Sequence, residues 1–307
     1  MFTVKEYIDQ GIEDLKTLYP RNEAKALLEI VLENFCSLPS YIYHTNPNLS
    51  LPFEYLESLL NALDDLRKAR PIQYILGKTL FEGCIINVRE GVLIPRPETA
   101  ELVRWARNFI DLQVVEKTKS SSKTSSLFIL DVCTGSGAIA VALAKAFPQA
   151  EVYGVDISEE ALAIAEENAR VNRVRVRFSH ADILNSSSNS TPLITHHSSL
   201  INRSFDVIIS NPPYVRLSEK GTMRRNVIDY EPHDALFVPD KNPLLFYRSL
   251  ADWGLLLLKK GGVLMVEINE IMDQKVTELL EKKGYSSIEV RKDINGKPRM
   301  CCGGLCE

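Results

Sequence analysis

The segment IISNPPYV, residues 208–215, has the residue types with the clearest chemical potential in this sequence. It follows the apolar stretch FDVIIS, and because proline cannot donate a hydrogen bond to a β-ladder, a strand has to end here. The side-chain oxygen of Asn211 and a proline carbonyl can then both accept hydrogen bonds from one planar NH₂ group, and the ring of Tyr214 can stack on that group. The pattern predicts a pocket that holds a planar nitrogen at the end of a strand.

Such a pocket suits the transfer of a methyl group to nitrogen. Two acceptors on one NH₂ group aim its π-face at an electrophile, and placement of this kind contributes up to roughly 7–11 kcal/mol in the best cases. No general base is needed at the outset, because the proton can leave after the nitrogen has become positively charged. We therefore predict Asn211, Pro212, Pro213 and Tyr214 as catalytic residues. The motif leaves open whether the acceptor is adenine, guanine or a side-chain amide, and a turn without chemistry is the simpler alternative.

A second group of residues lies in LFILDVCTGSGAIAVALA, residues 127–144, which has the pattern of a strand, a turn of small residues and a helix start. Glycines permit a tight turn and a close approach of the backbone to a ligand, and the helix start offers unpaired N–H groups. The order C-T-G-S-G differs from the G-x-G-x-x-G of dinucleotide sites. We predict that the loop holds the amino-acid end of S-adenosylmethionine, the alternative being a plain strand–helix connection. The predicted binding residues are Cys133, Thr134, Gly135, Ser136 and Gly137.

The next two strand-like segments end in carboxylates that suit the nucleoside part of the same ligand. EVYGVD ends in Asp156, about 20 residues after the glycines, where a carboxylate can accept hydrogen bonds from both ribose hydroxyls. In SHADIL, Asp182 can accept a hydrogen bond from the adenine amino group, and Ile183 can pack on the base. We also expect Asn211 to border the cofactor.

The rest of the sequence indicates which elements position these residues. From about residue 97 strand-like and helix-like segments alternate, which is typical of a doubly wound, mostly parallel sheet. Residues 1–80 have the pattern of amphipathic helices without a chemical cluster, and in residues 81–96 the strand-like segments CIINV and VLIP are joined at REG. The prediction is an α/β protein with a small all-α N-terminal domain (1–80), a β-hairpin linker (81–96) and a sheet domain (97–307). Two Ser-rich stretches, 116–126 and 185–204, are predicted to be surface insertions.

Composition and charge disfavour several classes of function. The 307 residues carry a formal net charge of −4 with a pI near 5.9, which argues against a broad nucleic-acid-binding face. The apolar runs are too short to span a membrane and the N-terminal stretch lacks the pattern of a signal peptide, so we expect a cytoplasmic protein with reduced cysteines. We also expect a monomer. The cysteine cluster CCGGLC, residues 301–306, fits no common zinc spacing, so no metal site is predicted.

Six segments occur in the order and spacing of one family: RPIQYILGK (70–78), VLIPRPETAELV (92–103), DVCTGSGAIA (131–140), NPPYV (211–215), YEPHDALFV (230–238) and FYRSL (246–250). On these segments the sequence closely resembles the release-factor glutamine methyltransferases, the HemK/PrmC family, over nearly its full length. The resemblance implies methyl transfer from S-adenosylmethionine, with S-adenosylhomocysteine as the product. The implied acceptor is the side-chain nitrogen of the glutamine in the Gly-Gly-Gln motif of peptide chain release factors.

The resemblance also implies a fold and roles for particular residues. It implies a Rossmann-like, seven-stranded methyltransferase sheet whose last two strands are SSIEVRKD and RMCCGGL, and an N-terminal helical domain that helps to dock the release factor. By position, residues 133–137 hold the methionine end of the cofactor, Asp156 binds the ribose, Ile183 lies at the adenine, and residues 211–214 hold the glutamine amide.

Three positions depart from the pattern of the family. Cys133 stands where many members have a glycine, which puts the approach of the backbone to the cofactor in question. Ala100 replaces a usual glutamate, so any function of that carboxylate is missing here. The segment Glu267-Ile268-Asn269 replaces a family segment that ends in glycine, and asparagine tolerates the left-handed conformation that such a turn needs.

Three other functions remain as alternatives. The closest keeps the chemistry and changes the target to a glutamine of a ribosomal protein. An adenine-N6 or guanine-N2 nucleic-acid methyltransferase predicts basic residues along the NPPY cleft, whereas we expect no direct, stable binding of nucleic acid. A cofactor-binding module without turnover predicts a damaged acceptor motif, but the NPPY motif is intact.

Overall fold

The structure, a computed structural model, describes residues 2–119, 126–185 and 204–306, with side chains for all of these except residues 114–119. Most of the two predicted Ser-rich insertions lies outside the described residues. The described chain divides into two compact units, residues 1–78 with 224–230 and residues 79–223 with 231–307.

The first unit is helical. Its core is built from buried apolar side chains spaced three and four residues apart, such as Val4, Ile8, Ile12 and Leu15 of the first helix. The first helix begins at a capping box, in which the Thr3 hydroxyl accepts from the backbone N–H of Glu6 and the Glu6 carboxylate accepts from that of Thr3. The helices are α1 Val4–Leu15, α2 Arg21–Cys36, α3 Ile42–Thr45, α4 Phe53–Arg67, α5 Ile72–Leu76 and, from the later segment, α9 Arg225–Ile228.

The inclusion of residues 224–230 in this unit differs from the predicted division of the chain, which placed them in the sheet domain. The Tyr230 hydroxyl donates to the carbonyl oxygen of Lys68 at 3.0 Å, and the guanidinium of Arg224 lies 2.8 Å from the carboxylate of Glu23. A boundary read along the sequence could not include this segment, because its assignment depends on contacts with residues about 160–200 positions earlier.

The second unit contains the seven-stranded sheet, in the order β10-β11-β9-β6-β3-β4-β5. The five strands from β9 to β5 in that order are parallel, and β10 and β11 are antiparallel to their neighbours. The prediction of a Rossmann-like, seven-stranded sheet is confirmed. Its strands are β3 Phe128–Val132, β4 Glu151–Asp156, β5 Val176–His180, β6 Phe205–Ser210, β9 Leu258–Glu267, β10 Ser286–Lys292 and β11 Pro298–Gly304.

Helices cover this sheet, and short strands pair beside it. The central strands are almost entirely apolar because both of their faces are buried. One core cluster joins Leu130, Ile208 and Leu264 of the sheet to Trp253 and Leu280 of two helices. The helices of this unit are α6 Pro97–Lys119, α7 Ala138–Ala146, α8 Glu159–Val171, α10 Leu245–Leu257 and α11 Asp273–Lys283, and β7 Val215–Arg216 pairs with β8 Phe237–Val238.

The linker hairpin does not lie where it was predicted. Its strands are β1 Lys78–Phe81 and β2 Cys84–Asn87, and its two-residue turn is Glu82-Gly83, with φ of 46° and 76°. Both angles are positive, as a type I′ turn requires. The segment VLIP forms no strand, because the backbone N–H of Ile94 donates instead to the carboxylate of Glu231 at 3.1 Å and Pro95 has no N–H to donate.

Candidate active site

A cavity of about 550 Å³ lies at the carboxyl ends of β3, β4 and β6. Most of the predicted site residues line it: Cys133, Thr134, Gly135, Ser136, Asp156, Asp182, Ile183, Asn211 and Pro213. The remaining three, Gly137, Pro212 and Tyr214, belong to the same segments but are not among its lining residues. The sheet topology produces this convergence, because parallel strands bring their carboxyl ends to one edge. The individual functions of these residues stay predictions.

The glycine loop connects β3 to α7 through two glycines in the left-handed region. Gly135 has φ of 52° and Gly137 has φ of 76°. A Cβ at Gly137 would lie 2.8 Å from the Cβ of Ala165 on α8, so packing as well as conformation requires glycine there. At Gly135 a Cβ would meet nothing within 4 Å, so the requirement there is conformational.

Cys133 also adopts the left-handed region, with φ of 60°. For a residue with a Cβ this conformation costs roughly 1–2 kcal/mol. Cys133 therefore adopts the left-handed backbone conformation that a glycine would adopt more easily, and the protein loses some stability for it. Burial raises the pKa of the Cys133 thiol far above its usual range, and the nearby carboxylates of Asp156 and Asp131 raise it further. The thiol is accordingly protonated and is no candidate nucleophile.

Asp131, which the sequence analysis did not select, lies beneath this loop and is fully buried. Its Oδ2 accepts hydrogen bonds from the Thr134 hydroxyl and from the backbone N–H of Ala140, at 3.1 Å for the latter. Its Oδ1 has no hydrogen-bond partner among the described residues. Burial, and to a lesser extent the charge of Asp156, raises the pKa of Asp131 to about 7. A charged residue inside the apolar strand FILDV was the signal that could have identified it.

Asp156 joins the end of β4 to the glycine loop. Its Oδ2 accepts from the backbone N–H of Gly135 at 2.8 Å, and its Oδ1 accepts from that of Ser158 at 3.0 Å. Burial raises the pKa of Asp156, while these two backbone donors lower it. At the next strand end, the Oδ1 of Asp182 accepts from the backbone N–H of Leu184 at 2.8 Å. Both carboxylates are therefore oriented by the backbone at the wall of the cavity.

The acceptor motif is connected to two residues that the sequence analysis did not assign to the site. The Nδ2 of Asn211 donates to the Oγ1 of Thr99 at 3.0 Å. The Thr99 hydroxyl lies 2.6 Å from Oε2 of Glu267, and the Tyr214 hydroxyl lies 2.7 Å from Oε1 of the same carboxylate. Thr99 is part of the segment VLIPRPETAELV, and Glu267 ends β9. The first segment was quoted for the family resemblance and the second as a departure from it, but their connection to Asn211 was not visible in the sequence.

A second pair of carboxylate contacts holds VLIPRPETAELV in place. Glu231, from the segment YEPHDALFV, is 3% exposed and accepts hydrogen bonds from the guanidinium of Arg96 and from the backbone N–H of Ile94. Burial raises the pKa of Glu231, and the charge of Arg96 opposes that shift. Two segments separated by more than 130 residues are thereby joined beside the cavity.

Comparison with known proteins gives the class. A protein-family model described as a methyltransferase domain matches residues 123–294. The release factor glutamine methyltransferase of Flavobacterium psychrophilum is 39% identical over 97% of this chain and 97% of the relative. That of Bacteroides thetaiotaomicron is 39% identical over 98% of this chain and 98% of the relative. That of Lactococcus lactis subsp. lactis is 34% identical over 94% of this chain and 97% of the relative.

The Rossmann-like sheet, with its cavity at the carboxyl ends of the strands, is that of a methyltransferase. Within that class, the chain belongs to the release factor glutamine methyltransferase family.

The methyl donor is S-adenosylmethionine, and the residues of the cavity fit it. The carboxylates of Asp156 and Asp182 and the side-chain carbonyl of Asn211 line the cavity and supply acceptors for the hydroxyl, amino and ammonium groups of this ligand. The loop offers backbone N–H groups at the start of α7, and the carboxylate of Asp156 lines the wall at the next strand end. Residues 133–137, Asp156 and Ile183 would hold the methionine, ribose and adenine parts.

Proposed function

We propose that this protein transfers a methyl group from S-adenosylmethionine to the side-chain nitrogen of the glutamine in the Gly-Gly-Gln motif of peptide chain release factors. The observation that carries the proposal is the orientation of Asn211 at the cavity wall. Its Nδ2 is engaged by Thr99, so its carbonyl oxygen is the atom that remains to accept a hydrogen bond from a substrate NH₂ group. The names of the relatives, which are similar over nearly the whole chain, point to the same substrate.

The bound cofactor supplies an electrophilic methyl carbon. Asn211 Oδ1 and a carbonyl of the Pro212-Pro213 pair accept from the two N–H groups of the glutamine amide, which orients the nitrogen. The prolines make this turn rigid, so the orientation costs little entropy on binding. Among the described residues that line the cavity there is no histidine, and the one cysteine, Cys133, is held as a thiol. The chemistry therefore depends on placement, with loss of the proton after methyl transfer.

We assign the docking of the release factor to the N-terminal helical domain and catalysis to the sheet domain. The helical unit has an apolar core of its own, and none of its described residues lines the cavity, which supports a role outside the chemistry. We further propose that the enzyme acts as a cytoplasmic monomer. In the described part of the chain, no helix combines the length and apolar character that crossing a membrane requires.

The charge of the cavity favours a protein amide over a nucleobase. The described residues that line it include Asp156, Glu160, Asp182 and Asp234, and none of them is lysine or arginine. A nucleic-acid methyltransferase needs cationic side chains to hold the phosphates that flank its target base. Stable binding of nucleic acid is therefore not part of the proposal.

The test is incubation of the purified protein with methyl-labelled S-adenosylmethionine and release factors. We expect label on the wild-type release factor and none on a variant with alanine in place of the Gly-Gly-Gln glutamine. Purified ribosomal proteins and a duplex oligonucleotide serve as parallel acceptors. Label on a ribosomal protein or on DNA, with none on the release factor, would refute the proposed substrate. The Asn211→Ala enzyme is the internal control, since it should lose turnover far more than cofactor affinity.

A further inference from the structure

Four side chains at and behind the cavity wall form a continuous chain of hydrogen bonds, which we call the amide relay: Asn211, Thr99, Glu267 and Tyr214. Asn211 Nδ2 lies 3.0 Å from Thr99 Oγ1, which lies 2.6 Å from Glu267 Oε2, and the Tyr214 hydroxyl lies 2.7 Å from Glu267 Oε1. Thr99 is 4% exposed and Glu267 is 1% exposed. Of the four residues, Thr99 and Asn211 line the cavity, and Glu267 is set behind them.

The donors and acceptors in the amide relay have a defined direction when Glu267 is ionised. A carboxylate can only accept hydrogen bonds, so the hydroxyls of Thr99 and Tyr214 must each donate their single proton to it. The oxygen of Thr99 can then only accept from Asn211, and the group that Asn211 turns toward Thr99 must be its NH₂. The carbonyl oxygen of Asn211 is thereby turned away from Thr99 and made available at the cavity.

We propose that Thr99 and Glu267 are positioning residues for methyl transfer: the charge of Glu267 orients the Thr99 hydroxyl, which in turn makes Asn211 present its carbonyl oxygen, and not its NH₂ group, to the substrate amide. The consequence for turnover rests on the proposed function, in which the acceptor is a planar NH₂ group. A substrate NH₂ cannot hydrogen-bond to a second NH₂, so an asparagine turned the other way would oppose binding in the reactive orientation.

Several groups act on the carboxylate at the centre of the relay. Burial raises the pKa of Glu267, the hydrogen bonds from Thr99 and Tyr214 lower it, the positive charge of Arg299 lowers it too, and Glu98 raises it slightly. Arg299 is held by the carboxylates of Asp293 at 3.2 Å and Glu270 at 3.4 Å, so its charge is shared. The two hydroxyl donors are thus the principal local support for the ionised form.

Two substitutions separate the direction of the relay from its shape. Glu267→Gln keeps the size of the side chain but adds an NH₂ group that can donate to Thr99. The Thr99 hydroxyl is then free to donate to the carbonyl oxygen of Asn211, so the side-chain amide of Asn211 can flip. Thr99→Val keeps the shape and removes the link. Thr99→Ser restores the hydroxyl. Tyr247→Phe is the matched control, because the Tyr247 hydroxyl donates to the main-chain oxygen of Glu267 at 3.3 Å and takes no part in the relay.

The experiment measures kcat, KM for a release factor, and the Kd of S-adenosylmethionine for each full-length variant. We expect Glu267→Gln and Thr99→Val to lower kcat about 10- to 100-fold, the effect of losing or inverting one buried hydrogen bond, with the cofactor Kd unchanged within about twofold. Thr99→Ser should recover most of the loss, and Tyr247→Phe should stay within about threefold of wild type. If Thr99→Val and Glu267→Gln both retain wild-type kcat while folded, the proposal is overturned.

A spectroscopic measurement distinguishes failure of the relay from failure of the proposed function. In protein labelled with ¹⁵N-asparagine, the side-chain NH₂ signals of Asn211 are assigned by their loss in Asn211→Ala. The relay predicts that these signals shift in Thr99→Val and in Glu267→Gln, and stay in place in Tyr247→Phe. If the wild-type enzyme leaves release factors unmodified but these shifts occur, the proposed substrate is wrong and the relay stands. If the enzyme is active and the signals of Asn211 do not move, the relay is wrong.

Discussion

Asp156→Asn gives the sharpest test of the cofactor site, because it changes charge without changing shape. In the structure both carboxylate oxygens are acceptors, one for the backbone N–H of Gly135 and one for that of Ser158. An asparagine has only one oxygen, so its NH₂ group must face one of these donors. The substitution therefore removes one charge-assisted hydrogen bond to the backbone, and it also removes an acceptor for the ribose.

The magnitude follows from the hydrogen bonds that are lost. A hydrogen bond to a charged group contributes about 1.5–3 kcal/mol. Loss of one such bond to the cofactor weakens binding by roughly 10- to 150-fold. Loss of one backbone bond, to Gly135 or to Ser158, adds a stability cost of similar order, since that N–H then lacks its partner. Turnover at saturating cofactor should fall far less than affinity, because the acceptor motif is untouched.

The assay is calorimetric titration of S-adenosylmethionine and of S-adenosylhomocysteine, with thermal unfolding of the ligand-free protein in parallel. Asp206→Asn is the control. Asp206 also accepts a backbone N–H, from Phe128 at 2.9 Å, but it lies at the start of β6, at the opposite edge of the sheet from the cavity. It should lose stability and keep cofactor affinity. A folded Asp156→Asn protein that binds both ligands within about twofold of wild type would refute the assignment.

Four further predictions follow from the site. Because burial places the pKa of Asp131 near 7, well above its usual value, the unfolded chain releases this proton at lower pH than the folded one, so ligand-free stability should fall as pH rises from about 4 to 7. Asp131→Asn should abolish that fall, which amounts to roughly 2.5 kcal/mol in urea unfolding at pH 8 against pH 5. Cys133→Gly should relieve the left-handed strain and raise stability by up to about 1 kcal/mol in the same assay; a clear loss would contradict the strain argument. Gly137→Ala should lower the free energy of unfolding by about 2 kcal/mol or more, because its Cβ would lie 2.8 Å from that of Ala165. An unchanged melting temperature would show instead that α7 and α8 move apart without cost. Since burial raises the pKa of Glu267, kcat should decline on the acidic side as that carboxyl gains its proton, and the decline should be absent in Glu267→Gln; a pH profile of the same shape in both enzymes would contradict it.

Much of the cofactor side of this site could be predicted from local sequence. A buried apolar strand followed by Cys-Thr-Gly-Ser-Gly has few conformations open to it, and a strand that ends in aspartate places that side chain at the edge of a parallel sheet. The residues predicted there line the cavity, with the exception of Gly137. Asp131 was missed because its raised pKa and its unpartnered oxygen result from complete burial. The hydrophobic pattern alone did not show that this side chain is fully buried.

The hairpin linker shows where local pattern was insufficient. VLIP has the composition of a strand, but its backbone partner is the side chain of Glu231, 137 residues away. The actual hairpin turns at Glu82-Gly83. The glycine of this turn was visible in the sequence, but the segment REG also contains a glycine, so glycine alone did not distinguish the two turns. Strand composition is a weak guide when the partner of the backbone N–H is supplied by tertiary structure.

The sequence by itself determined the alternation of strands and helices, the glycine loop between β3 and α7, and the rigid Asn-Pro-Pro-Tyr end of a strand, because each depends on the backbone preferences of adjacent residues. Only the tertiary structure decided what surrounds Asn211. Thr99 lies 112 residues before it, and Glu267 lies 168 residues after Thr99. Their contact requires β9 to pair with β6 in register and α6 to begin beside both, and hydrogen bonds of about 3 Å between such distant residues exist only once the whole sheet has assembled.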